Sequence, residues 1–147
     1  VGAALAGDCF AEVICDGIHV HPAVLKTAFA ALGSRGLIIS DSLAPCGQGD
    51  GESVSGGQPV FVRGKEARLA DGTIAGSVTF PWEGMRTLVR AGVPLEQAVS
   101  AATAVPARAA GLDGICGAIA PGRRADLCLA GPDLALRRVW LAGEQVR

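Results

Sequence analysis

Length, composition and charge exclude several classes of protein. The chain has 147 residues, 50% hydrophobic and 18% charged, with a net charge of −1 at pH 7. That charge excludes an electrostatic nucleic-acid binder, which needs a basic face, and no apolar run reaches the ~18 residues of a membrane helix. The apolar content predicts a buried core, but a complete (β/α)8 barrel is excluded because it takes about 250 residues.

The first third of the chain predicts a strand, a helix and a second strand. Residues 11–16 have the pattern of a short strand, and Asp16-Gly17 favours a turn after it. Pro22 suits the first position of a helix whose apolar residues recur at helical spacing until Gly33, which suits the position after the helix end. Residues 37–41 begin with a continuous apolar run, typical of a strand buried on both faces. We therefore predict a βαβ unit with parallel strands and an α/β fold class.

The rest of the chain predicts a loop, a hairpin, three helices and two final strands. Residues 44–59 are rich in glycine and polar residues and predict a long loop. A hairpin is expected from segments 60–62 and 67–69, and helices from 81–91, from Pro94 onward and from Pro106 to Gly111. Segments 125–130 and 138–142 have the pattern of strands. Two such strands cannot stand alone, so they need partner strands from elsewhere.

The cysteines and the first residues of the chain predict the cellular compartment. The five cysteines are odd in number, widely spaced and without a C-x-x-C pair: Cys9, Cys15, Cys46, Cys116 and Cys128. This pattern argues against a disulfide framework or a zinc knuckle and favours small buried thiols in a reducing cytosol. The chain opens at Val1 without a basic segment, so we expect no signal peptide and a cytoplasmic protein.

Two features carry the candidate chemistry. His19 and His21 point the same way on an extended backbone, so they form a possible metal pair, although a catalytic centre needs about three ligands. The alternative has one ring hydrogen-bonded in a cleft and the other solvated. Asp41 follows a buried parallel strand, at the end where ligands bind in α/β folds. Its alternative role is that of a turn or helix-capping residue. Residues 71–77 favour a simple turn.

Three motifs, in this order, resemble the N-acetylglucosamine-6-phosphate deacetylase family within the amidohydrolase superfamily. They are residues 16–22 (DGIHVHP), 39–47 (ISDSLAPCG) and 72–77 (GTIAGS). Residues 101–112 and 117–127 resemble the general C-terminal signature of the superfamily. Together these segments cover nearly the whole chain, aligned to the C-terminal part of a full-length enzyme.

The resemblance implies a fold, an activity and site residues. The fold would be the C-terminal part of a TIM-like (β/α)8 barrel in residues 1–120, with a loop and hairpin insertion at 44–76, plus strands of a small β-sandwich domain in 121–147. The activity would be hydrolysis of N-acetylglucosamine 6-phosphate to glucosamine 6-phosphate and acetate. Asp41 matches the catalytic carboxylate, His19 a histidine near the sugar phosphate, and Ile74, Ala75 and Gly76 a loop lining the sugar pocket.

The resemblance also implies groups that these residues do not supply. The family's divalent metal, zinc or similar, is held by a glutamate and two histidines that match nothing in residues 1–147. His21 matches no functional position, so the metal pair loses support. We expect a homo-oligomer for the full-length enzyme, and we expect this chain alone to be inactive and to aggregate or need a partner piece. The alternatives are another amidohydrolase, such as a dihydroorotase-like or aminoacylase-like enzyme, or a non-catalytic module that binds a phosphosugar or a partner through the 44–59 loop.

Overall fold

The computed structural model describes residues 1–147 and begins with the predicted βαβ unit. A short helix α1 (Gly2–Ala6), which the sequence did not predict, precedes β1 (Ala11–Ile14). Helix α2 (Pro22–Leu32) and a 3-10 turn (Gly33–Arg35) lead into β2 (Gly36–Ile39). β1 and β2 are parallel and paired from Ala11↔Gly36 to Ile14↔Ile39, so the predicted parallel pair is confirmed.

Helix α2 has the start and the apolar side that its sequence predicts. Pro22 stands at its first position, and its side with Leu25, Phe29 and Leu32 is buried. Burying Leu25 and Phe29 completely stabilises the fold by about 1.5–3 kcal/mol each. Gly36, the first residue of β2, packs closely against this side of the helix, since a Cβ at this position would lie 3.0 Å from the Phe29 ring.

A four-stranded antiparallel sheet follows, and it corrects the predicted loop. Its strands pair in chain order: β3 (Gly51–Ser55), β4 (Gln58–Arg63), β5 (Glu66–Arg68) and β6 (Ile74–Ser77). The prediction of a loop over 44–59 was therefore wrong from Gly51 onward. β3 lacks apolar alternation, but Gly56 and Gly57 both have positive φ, as a tight two-residue hairpin turn requires. The predicted hairpin is confirmed as the β4–β5 pair, and the core of this sheet comes from Val60, Val62, Ala67 and Val78.

Two helices complete the first compact unit, Val1–Ala102. α3 (Pro81–Arg90) and α4 (Leu95–Ala102) confirm the helices predicted at 81–91 and after Pro94. α3 approaches the parallel strands closely, because a Cβ on Gly84 would lie 2.9 Å from Ile38 Cγ2 and 3.2 Å from Cys15 Cβ. From α4, the Gln97 amide donates hydrogen bonds to the carbonyls of Phe29 (2.7 Å) and Gly33 (3.2 Å), which satisfies acceptors at the end of α2.

The second compact unit, Thr103–Arg147, holds one helix and three strands. Helix α5 (Ala104–Ala109) begins two residues before the predicted Pro106, and a proline is tolerated there because N–H groups of a first turn have no partner within the helix. Strands β7 (Leu127–Ala130), β8 (Leu136–Leu141) and β9 (Glu144–Gln145) form an antiparallel sheet. None of their residues is buried. The assignment of 1–120 to a barrel and 121–147 to a sandwich stays a prediction.

The cysteines differ from the expectation of buried thiols. All five are free, but only Cys15 is buried, at 1% exposure, while Cys9 and Cys128 are exposed. Burial, and then the negative charge of Asp16, raises the pKa of the Cys15 thiol to about 12. The expectation is therefore right for Cys15 and wrong for Cys9 and Cys128. No helix in the structure has both the length and the apolar character to cross a membrane.

Candidate active site

The candidate site lies at the carboxyl edge of the parallel strands. Both strands end at the register pair Ile14↔Ile39, and Asp16 and Asp41 each stand two residues beyond that pair. Parallel strands end at the same edge, so the fold brings the two loops that carry these carboxylates side by side. The sequence predicted this position for Asp41, and β2 confirms it.

Asp41 has a strained backbone and a free side chain. Its φ is 52°, in the left-handed region that few residues other than glycine adopt. The side chain is exposed, and no hydrogen bond or ion pair engages its carboxylate. Asp41 therefore caps no helix and closes no turn through its side chain, which leaves the carboxylate available to a ligand.

The 74–76 segment lies beside the residues that follow β2. The Asp41 carbonyl accepts the Ser77 N–H at 3.3 Å, and the Ser77 carbonyl accepts the Leu43 N–H at 2.9 Å. Ser42 and Ser77 form a parallel bridge. These bonds bring the predicted residues Ile74, Ala75 and Gly76, which run from exposed to buried, next to the loop that carries Asp41.

His19 is held by a buried carboxylate. Its Nδ1 lies 2.7 Å from Asp16 Oδ2, and the Asp16 side chain is 1% exposed against 22% for His19. Asp16 Oδ1 accepts the backbone N–H groups of Ile18 at 2.8 Å and His19 at 3.0 Å. Burial acts to raise the pKa of Asp16, but the hydrogen bonds from Ile18 and His19 outweigh it and lower that pKa. The carboxylate is therefore ionised and accepts hydrogen bonds from Ile18 and His19.

The residues of this chain do not fit a metal centre. No three histidine, cysteine or acidic side chains lie close enough to hold an ion. The two histidines also have separate partners. His19 Nδ1 contacts Asp16, whereas His21 Nδ1 accepts the Ala23 N–H at 3.2 Å at the start of helix α2. His21 is thus a helix-capping residue.

Sequence reasoning missed Asp16, which it treated only as part of a turn. The available signal was local, since an aspartate that begins an Asp-Gly turn can accept from the backbone two and three residues on. Two cavities, of about 470 Å³ and 210 Å³, lie along the antiparallel sheet, and neither includes Asp41, His19 or residues 74–76. The candidate site therefore lies at the open edge of the parallel strands, and neither cavity contributes to it.

Comparisons with known proteins agree on one family. The family model described as "Amidohydrolase family" matches residues 12–146. A protein of Escherichia coli K12, provisionally named an N-acetylgalactosamine-6-phosphate deacetylase, is 33% identical over 98% of this chain and 87% of its own length. The crystal structure of N-acetylglucosamine-6-phosphate deacetylase from Pasteurella multocida matches 99% of this chain with a TM-score of 0.93 and 28% identity, over 38% of that enzyme. A Mycobacterium smegmatis enzyme of the same name, an aspartate-to-alanine mutant in complex with N-acetyl-D-glucosamine-6-phosphate, is 37% identical with a TM-score of 0.84, over 93% of this chain and 37% of its own. The chain thus spans most of the first relative and less than two fifths of the two crystallised enzymes.

Proposed function

Because this chain belongs to the amidohydrolase family, we propose that it forms the Asp41-bearing part of an enzyme that hydrolyses N-acetylglucosamine 6-phosphate. The products are glucosamine 6-phosphate and acetate. The observation that carries this proposal is the Asp41 carboxylate, which is exposed, without a partner and at the carboxyl edge of the parallel strands. Its left-handed backbone adds support, since strain of this kind concentrates at functional sites.

Asp41 acts as the proton carrier of the hydrolysis. Its carboxylate takes a proton from the water whose oxygen bonds to the acetamide carbon, and it then gives that proton to the nitrogen as the C–N bond breaks. One group serves both steps because it stands protonated between them. Amidohydrolases generally use a divalent metal to activate the water, and residues 1–147 offer no cluster of ligands that would hold one.

The neighbouring residues bind the substrate. Residues 74–76 present the backbone of a strand end beside the Asp41 loop, as expected for a segment that lines the sugar. His19 presents a partly exposed ring for the phosphate. The substrate in the complex of the Mycobacterium smegmatis enzyme supports a phosphorylated amino sugar as the ligand class. A homo-oligomeric state and a cytoplasmic location remain expectations.

A second candidate substrate is the galactosamine epimer. The Escherichia coli relative carries that name and covers 98% of this chain. The two sugars differ in one hydroxyl configuration, which leaves the acetamide chemistry at Asp41 unchanged. The experiment below therefore offers both epimers.

A chimera tests the proposal. Residues 1–147 replace the matching 38% of the Pasteurella multocida enzyme, and acetate release is measured with each N-acetylated sugar phosphate. We expect turnover of the glucosamine substrate. Asp41→Asn should lower kcat by about 10²–10⁴-fold with KM little changed, because it removes the proton carrier and leaves the binding groups. Asp113→Asn, the same change at an exposed carboxylate, should leave kcat unchanged.

Two results contradict the proposal. A folded chimera that releases no acetate from either sugar shows that these residues do not complete the site. Full activity after Asp41→Asn shows that Asp41 is a turn residue and favours a non-catalytic, ligand-binding role for this chain.

A further inference from the structure

We propose that Asp16 is a positioning residue: it holds a proton on His19 Nδ1, orients the ring so that Nε2 faces the phosphate of a phosphate monoester, and pairs with the ring when the ring is positively charged. This inference rests on the proposed function, in which His19 contacts the sugar phosphate. It assigns a role to a side chain that the deacetylation chemistry of Asp41 does not use.

The geometry sets the direction of the hydrogen bond. An ionised carboxylate only accepts, so the 2.7 Å contact requires His19 Nδ1 to carry a proton and donate it to Asp16 Oδ2. The other oxygen of Asp16 already accepts two backbone N–H groups, from Ile18 and His19. Gly17, with φ of 80°, turns the chain tightly enough for both of these groups to reach it. The backbone of its own loop therefore holds the Asp16 carboxylate in place, independently of the imidazole.

The contact leaves Nε2 as the ring nitrogen available to a ligand. With the proton of a neutral ring held on Nδ1, Nε2 donates to a phosphate oxygen only once the ring takes a second proton, and the buried carboxylate of Asp16 then pairs with the positive ring. The Asp16 side chain is 1% exposed, so water screens its charge weakly, whereas the 22% exposed imidazole reaches the solvent edge. A phosphate monoester that meets Nε2 would thus face a ring that is already oriented.

The substitution Asp16→Asn makes a specific prediction about the proton. Asparagine has one oxygen, and the two backbone N–H groups of Ile18 and His19 require it at the Oδ1 position. The amide NH₂ then faces His19 Nδ1, which must accept instead of donate. The neutral ring is expected to move its proton to Nε2, with a side chain of nearly unchanged shape at position 16.

Nitrogen NMR of the chain, labelled with ¹⁵N-histidine, reads this proton directly. Only two histidines are present, and the structure gives them opposite tautomers, since His21 Nδ1 accepts from Ala23 and must lack a proton. His21→Asn assigns the two sets of signals. At about pH 9, well above the usual titration of histidine, we expect a protonated Nδ1 at His19 and its loss in Asp16→Asn. Solid-state spectra give the same shifts if the chain self-associates.

A titration with glucosamine 6-phosphate near neutral pH tests the binding role. The phosphosugar should shift His19 Nε2 in the native chain. Asp16→Asn should weaken its apparent affinity about tenfold or more, because the variant keeps an Nε2–H donor on a neutral ring but loses the charged hydrogen bond that pairs the ring with Asp16. Asp113→Asn should leave the tautomer and the affinity unchanged. The tautomer measurement on the native chain needs no variant to fold.

The outcomes separate this inference from the proposed function. An unprotonated Nδ1 at His19 in the native chain, or an unchanged affinity after Asp16→Asn, overturns the positioning role even if the chimera releases acetate. The expected tautomers together with a weakened phosphosugar response support the role, even if the chimera releases none and the proposed hydrolysis fails.

Discussion

Replacing Gly76 with alanine tests whether the strand beside the candidate site is packed as the structure shows. A Cβ at this position would lie 2.8 Å from Leu43 Cγ and 2.9 Å from its Cδ2, and φ is +154°. Overpacking of this kind costs about 1–3 kcal/mol, and a side chain in a sparsely populated backbone region costs about 1–3 kcal/mol. We therefore expect Gly76→Ala to lower the free energy of unfolding by at least about 2 kcal/mol.

Urea unfolding followed by circular dichroism measures that loss, and two further variants divide it. Gly49→Ala adds a methyl group at another positive φ, +84°, with no atom within 4 Å, so it reports backbone strain without the clash. In a Leu43→Ala background, Gly76→Ala should cost about 1–2 kcal/mol less, because the clashing side chain is gone. A loss below about 0.5 kcal/mol, or the same loss in both backgrounds, would refute the packing argument.

Two other predictions concern the first unit. Cys15 should resist alkylation in the native chain at about pH 8, while Cys9 and Cys128 react, because burial raises the Cys15 pKa to about 12; mass spectrometry before and after unfolding checks this, and fast native labelling of Cys15 would contradict it. Folding lowers the pKa of Asp16 from its ordinary 3.8, so Asp16 stabilises the fold above pH 3.8, and that contribution is lost as the pH falls through the lowered pKa. Asp16→Asn should flatten this loss in urea midpoints measured between about pH 6 and pH 3, and parallel curves for the two proteins would contradict the assignment.

The sequence predicted those parts of the fold whose residues carry a periodic or punctuated signal. The βαβ unit follows from Pro22, the helical spacing after it and the apolar run of β2. β3 was missed because Val54 is its only apolar side chain, so its pairing with β4 depends on backbone hydrogen bonds and on the Gly56-Gly57 turn. Strands of this type are specified by their partner, which lies later in the sequence.

The site was predicted less evenly, for a similar reason. Asp41 could be placed because a residue after a buried parallel strand is at the ligand-binding edge whatever its neighbours do. The bonds between its loop and Ser77 join segments more than 30 residues apart, and no local pattern announces them. The Asp16–His19 contact is local, but its meaning depends on the burial of Asp16, which only the packed structure supplies.

The two carboxylates at the strand ends occupy equivalent positions and opposite environments, and this contrast supports the different roles proposed for them. Asp16 is buried and accepts three hydrogen bonds, which lower its pKa and block its rotation. Asp41 is exposed and without a partner, so its carboxylate can rotate and contact water or a ligand. Catalytic sites commonly divide two carboxylates in this way, one fixed and one reactive. Exchanging the proposed roles would require Asp16 to give up two backbone hydrogen bonds, so the geometry favours Asp41 as the proposed proton carrier.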